Sequence, residues 1–288
     1  MINRDIVRKL LSVENFPTLP EVMSEILRVS ESEDASASEL TALIEQDHAI
    51  SLRVLRMANS AFYGLRSPVH SIRNAVVVLG FSAVRLLALT SSVFDSLARR
   101  RQFALDPTDF WMHSLGTAKA AQFIASSGNG IAAPDVCFTA GLVHDVGKYV
   151  LALALKDEYR AIVERSKEKS ESLWDVELAS LGITSAEVGG WLTERWRLPA
   201  SIVLVITNLH GAETYTGANN MEVAAIALAD QISRVTGFGF AGDFGGDAIS
   251  ERLVHLTRLT PDQLSTVQEK TRKLLEETRR FIGLMKET

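Results

Sequence analysis

The sequence predicts an all-α protein, and three observations carry that reading. Apolar residues recur at spacings of three and four nearly throughout, and no stretch shows the period of two that a half-buried strand requires. Strand–helix alternation is absent as well. At 288 residues, with 47% hydrophobic and 23% charged residues, the chain can enclose a sizeable core and has an ordinary soluble balance.

The elements follow in order. "PEVMSEILRVS" sets Val22, Ile26 and Leu27 on one helical face. "DASASELTALIEQD" opens with Ser36 three residues before Glu39, a capping-box signature, and continues through Leu40, Leu43 and Ile44. "AISLRVLRMANSAFYG" carries Leu52, Leu55 and Met57 and ends on Gly64. The next stretch reads as two helices broken near Gly80, the second closing at Arg99–Arg101, where cations suit the end of the helix dipole. After the "DPTD" turn comes a helix from about Asp109 to Ser126. "SGNGIAAP" then breaks the chain ahead of a helix containing "AGLVHDVGKYVLAL". Further helices are expected at Asp157–Lys169, Ser172–Leu181, Ser185–Arg195, Ala200–Asn208, Met221–Val235 and Pro261–Met285. In the last of these, Leu264, Val267, Leu274 and Leu275 read as a face packing back on its own domain. The expected organisation is an N-terminal helical layer over 1–107, a helical core over 108–236, and a Gly-rich loop with a C-terminal helical extension over 237–288.

Composition narrows the function classes. The net charge is -5, and phosphate-backbone binding calls for a basic excess, so no nucleic-acid partner is expected. A helix-turn-helix reading of "LIEQDHAISLRVLRMANS" would have only Arg53 and Arg56 for phosphates. Gly237, Gly239 and Gly242 match G-x-G-x-x-G, but they follow a helix rather than a strand, so they mark a loop and not a dinucleotide site. One cysteine, Cys137, permits no internal disulfide, and the N-terminus lacks a signal-peptide pattern, so a cytoplasmic location is expected. The segment Cys137–Leu155 is apolar, but ionisable groups at its centre argue against a membrane span.

Those groups are His144, Asp145 and Lys148. On a continuous helix His144 and Lys148 share a face, with Asp145 about 100° round. A buried carboxylate needs a cation, either a side chain or a metal. His113 lies on the apolar side of the preceding helix, Asp230 on the apolar face of "VAAIALADQIS", and His210 ends a helix in "VITNLHGAE". Imidazoles and carboxylates together suit one divalent transition metal per chain: iron, manganese, nickel, cobalt or zinc. His48, His70 and His255 fall among loop or surface residues and carry no role.

The pattern H…HD…D around "GLVHDVGK" resembles the HD superfamily of metal-dependent phosphohydrolases. "FPTLPEVMSEIL", "LIEQDHAISLRVLRMANSAFYG", "VHSIRNAVVVLG" and "AEVGGWLTERWRLP" resemble motifs of the HDOD family, the HD-related output domain of bacterial signalling proteins. That resemblance covers roughly Phe16 to Arg234 and implies an all-α, multi-helical HD-like bundle. It implies that His113, His144, Asp145 and Asp230 are the ligands of a single-metal site and that Lys148 meets substrate phosphate. Asp109 stands where a branch with more metals has a ligating glutamate. That branch would have histidine at Ser185 and a His-His pair at Leu209-His210. Here only His210 remains, so a second metal and cyclic-dinucleotide cleavage are not expected.

The resulting expectation is a signal-transduction module acting mainly by binding, its partner a signalling protein or a small phosphorylated ligand. The alternative is a single-metal phosphohydrolase acting on a nucleotide or other phosphomonoester. There Lys148 would steady phosphate oxygens and His210, also a possible ligand, would orient water or protonate the leaving oxygen.

Overall fold

The computed structural model describes residues 36–59, 65, 67–79, 84, 105–127, 130, 131, 134–196, 198–245 and 248–286. Every regular element among the described residues is helical, as the periodicity predicts. The expected helix around Val22–Leu27, the break at Gly80, the end at Gly64 and the Arg99–Arg101 helix end lie outside the described residues.

The chain divides into two compact units, one comprising Pro17–Arg99 with Lys273–Thr288 and the other Met1–Phe16 with Arg100–Arg272. In the first, α1 (Ala37–Gln46), α2 (His48–Ala58) and α3 (Ile72–Leu79) pack on one another. The capping box forms as expected: Ser36 Oγ accepts from Glu39 N, and the Glu39 side chain accepts from Ser36 N. The buried face of α2 runs through Ile50, Val54 and Ala58, whereas Leu52 is 44% exposed. Leu55 is half-buried, and Ile50, Val54 and Ala58 keep the spacing of four that one buried face requires. Asn59 ties the end of α2 to the following segment, donating to the Leu55 and Val69 carbonyls and accepting from Val69 N.

The second unit carries α4 (Pro107–Ala125), α5 (Pro134–Val143), α6 (Val146–Leu155), α7 (Asp157–Lys169), α8 (Leu173–Leu181), α9 (Ser185–Arg195) and α10 (Ala200–Thr207). After a 3-10 turn at Leu209–Gly211 come α11 (Asn220–Thr236), α12 (Glu251–Leu256) and α13 (Pro261–Lys286), the last continuing beyond the unit. Helix α4 packs on α5 and α11, and α9 packs on α6 and α10. Small residues permit these approaches. A Cβ on Gly147 would collide with the Ser185 carbonyl oxygen and the Gly189 nitrogen, so α6 and α9 meet backbone to backbone. Within this unit α13 packs back as expected: Val267 is buried, Gln263 donates to the Ser127 carbonyl, and Lys270 sits over the Phe123 ring. The segment Val136–Leu155, long and apolar enough to cross a bilayer, is mostly buried inside the protein.

One local expectation is corrected. "AGLVHDVGKYVLAL" is not a continuous helix: α5 ends at Val143, His144 and Asp145 form a turn, and α6 begins at Val146. Asp145 has φ -99° and ψ 8°, the bridge conformation, so it stands at the start of α6 rather than on its flank. The break carries both side chains out of helical register, and His144 and Lys148 no longer share the face of one helix.

Candidate metal centre

Four side chains from three places in the chain converge inside the second unit. His113 comes from the middle of α4, His144 and Asp145 from the α5–α6 turn, and Asp230 from α11. His113 is 1% exposed, His144 and Asp145 2%, and Asp230 7%. His113 Nε2 lies 2.9 Å from Asp230 Oδ1 and 3.7 Å from Asp145 Oδ2. His144 Nε2 lies 3.2 Å from Asp145 Oδ2 and 3.6 Å from Asp230 Oδ1. One ligand atom each from His113, His144 and Asp230 falls within 4.8 Å of the others, and Asp145 closes the set by approaching both histidines.

These separations fit a metal. Ligands about 2.1 Å from one transition ion stand roughly 3.0–3.4 Å apart in octahedral or tetrahedral arrangement, and the four separations here bracket that range from 2.9 to 3.7 Å. The histidine chemistry fits too. The Gly141 carbonyl, 2.7 Å from His144 Nδ1, can hold the Nδ1 proton, so that Nε2 would be the lone-pair donor once a metal takes the place of its proton. That Nε2 is buried without a hydrogen-bond partner, and at His113 the nitrogen turned to the carboxylates is Nε2. His113, His144, Asp145 and Asp230 would therefore hold the ion.

The electrostatics show a site built for positive charge. Burial lowers His144, yet the Asp145 and Asp230 carboxylates outweigh it and raise the imidazole to about 9. Burial prevails at His113, which is pushed down despite its bond to Asp230. The neighbouring rings thus move in opposite directions, and the charged His144 itself disfavours a second imidazolium. Burial alone would raise Asp145, but His144 and Lys148 hold it well below the usual carboxylate range. Asp230, likewise raised by burial alone, is lowered by the Arg234 guanidinium and both histidines.

Around this centre lie groups with other tasks. Lys148, 3% exposed, donates Nζ to Asp145 Oδ2 at 2.7 Å, and its Nζ sits 5.9 Å from the centroid of the Trp174 ring. Trp174 meets the His210 ring edge-on, with centroids 5.9 Å apart. His210 Nε2 is 3.1 Å from Asp175 Oδ1, and His210 falls outside the three-residue donor group. Its contacts are with Trp174 and Asp175. Asp109 is exposed, and its carbonyl accepts from Phe240 N. Ser185 is buried at the start of α9, its Oγ without a partner.

Three contributors escaped the sequence reading. Glu177, wholly buried, accepts from Tyr159 Oη and from Ser185 N, both at 2.6 Å. Burial pushes its carboxyl up to about 7, against those donors. Arg234 grips Asp230 from one turn further along α11, and Asp243 grips Arg234. An acid among Leu173, Val176 and Leu181, and an Arg four residues after Asp230, were the available signals.

The HDOD domain family model matches residues 16–212. The chain belongs to the HDOD family. Its structure resembles that of an HDOD domain protein of unknown function from Geobacter sulfurreducens, with a TM-score of 0.76 and 27% identity, over 96% of this chain and 94% of that one. A proposed phosphohydrolase from Shewanella amazonensis SB2B aligns with a TM-score of 0.71 and 25% identity, over 95% and 98% of the two chains. In sequence, an uncharacterized protein of Treponema pallidum (strain Nichols) is 24% identical over 225 residues, which are 77% of this HDOD chain. The HDOD chain spans 43% of that relative's length.

Proposed function

We propose that this HDOD protein is a metal-dependent regulatory module. A single divalent transition ion would organise the second unit, and the protein would act by binding a signalling partner or a small phosphorylated ligand. The observation that carries the reading is the convergence of two imidazoles and two carboxylates in the core, with the neighbouring cations turned inward. Lys148 holds Asp145, and Arg234 holds Asp230. His210, the candidate proton donor, is paired with Asp175 and meets the Trp174 ring edge-on. A phosphate at the centre would find Lys148 beside Asp145 and Arg234 beside Asp230 as its cationic neighbours.

A second reading is supported by that same lysine and by the likeness to the proposed Shewanella phosphohydrolase: hydrolysis of a phosphomonoester. The bound ion would supply Lewis acidity. Lys148 would neutralise the phosphate oxygens, while His144, fixed through Nδ1 by the Gly141 carbonyl, would keep its orientation.

The two readings separate in one experiment. Manganese-loaded protein is incubated with a panel of nucleoside monophosphates and p-nitrophenyl phosphate, following both turnover and melting temperature. Ligand-dependent stabilisation without turnover supports the binding module. Turnover that needs the metal and vanishes in Asp145→Ala establishes the hydrolase instead.

A further inference from the structure

The Gly-rich loop after α11 lies against the metal centre, and its contacts form a connected set. Asp230 presents Oδ1 to the two histidines, while its other oxygen, Oδ2, is 3.3 Å from Arg234 Nη2. Arg234 Nη1 reaches Asp243 Oδ2 at 3.2 Å and donates to the Gly245 carbonyl at 3.2 Å. Asp243 Oδ1 in turn accepts from Gly245 N at 3.0 Å and from Leu173 N, the first residue of α8, at 3.4 Å. The same loop is anchored beside the other ligand helix. Phe240 N donates to the Asp109 carbonyl, and Ser233 Oγ donates to the His113 and Phe238 carbonyls. Gly239, at φ +74°, lies so close to the Asp109 oxygen and the His113 nitrogen that a Cβ would collide with both.

Resting on the metal reading above, we infer that Arg234 and Asp243 are positioning residues which set the affinity of the metal site by locking Asp230 in a one-oxygen presentation. A carboxylate with both oxygens unrestrained can rotate or turn both toward an ion. A guanidinium clamp on Oδ2 removes that freedom, provided the guanidinium is itself fixed. Asp243 and the Gly245 carbonyl fix it. The fork geometry is what matters, since a lysine ammonium is a point charge and cannot span two carboxylates in a fixed plane. Partners of this kind behind metal ligands typically alter affinity by about 10–100-fold. The brace lies beyond the stretch matched to the family model, which ends at residue 212.

The test uses the full chain and Mn2+ alone, with dissociation constants from calorimetry for wild type, Arg234→Lys, Asp243→Asn and the double variant. Arg234→Lys preserves the charge beside Asp230, so its effect reads geometry and not net attraction. Asp243→Asn keeps an acceptor oxygen for the Leu173 and Gly245 amides while weakening the grip on Arg234. Each single variant should bind Mn2+ about 10-fold more weakly, and the double variant should be little worse than either. Metal-free melting temperatures within a few degrees of wild type would separate positioning from collapse. Unchanged affinities in the single variants, or losses that multiply in the double, overturn the brace while the metal reading stands. A wild type that binds no Mn2+ overturns the metal reading for that ion and this inference with it.

Discussion

Lys148 Nζ lies 2.7 Å from Asp145 Oδ2, the same oxygen that faces His144 Nε2 at 3.2 Å and His113 Nε2 at 3.7 Å. One carboxylate oxygen thus stands between a permanent cation and the place where an ion would sit. The lysine balances Asp145 when no metal is present, and a bound metal would share that duty.

It follows that Lys148→Met should destabilise the metal-free protein by about 3 kcal/mol, the cost of removing one of the two cations that hold a buried carboxylate. Saturating Mn2+ should restore most of that loss, so the rise in melting temperature on adding metal should be larger in the variant than in wild type. Differential scanning calorimetry with and without Mn2+ measures both. An equal rise in the two proteins would show that metal and lysine do not share Asp145.

Glu177 makes a pH prediction. Its folded-state pKa, raised by burial to about 7, exceeds the ordinary 4.5. The neutral form is therefore favoured in the folded protein. Its stabilising contribution is complete below about pH 4.5 and is lost as pH rises to about 7. Glu177→Gln mimics the neutral acid, since its amide can donate to Tyr159 Oη while its carbonyl accepts from Ser185 N. Urea unfolding should show the variant gaining about 2–3 kcal/mol relative to wild type between pH 5 and pH 8. A difference constant with pH would contradict the raised pKa.

At the α6–α9 crossing, Gly147→Ala would drive a methyl group into the Ser185 carbonyl and the Gly189 nitrogen. Backbone on both sides cannot yield as a side chain does. The substitution should cost about 3 kcal/mol and, because Gly147 lies two residues after Asp145, should also weaken metal binding. A stability loss under about 0.5 kcal/mol by urea unfolding would contradict the close approach.

Much of this arrangement was legible in the sequence, for reasons that also mark where it ceased to be. His113 and Asp230 stood out because each is a lone polar group on an otherwise apolar helical face, a pattern local to one helix. The turn at His144–Asp145 was not legible. Helices α5 and α6 are apolar on nearly every side, so neither has a polar face whose phase could reveal the break. His210 drew attention as a histidine at a helix end, yet its place is decided by Asp175, 35 residues away. The Asp243–Leu173 contact spans 70 residues, and nothing in a Gly-rich loop signals which helix start its aspartate will meet. Local periodicity picks out His113 and Asp230 as candidates, whereas the groups that contact them are assembled by tertiary packing.

His113, His144, Asp145 and Asp230 together would hold one ion. Elemental analysis of protein purified without a metal-affinity tag tests it most directly, beside His113→Ala and Asp145→Ala. About one transition metal per chain in wild type, lost from both variants, is the expected result. A wild type that stays metal-free after incubation with manganese or iron would contradict the account, and the four residues would then be a buried polar cluster balanced by Lys148 and Arg234 alone.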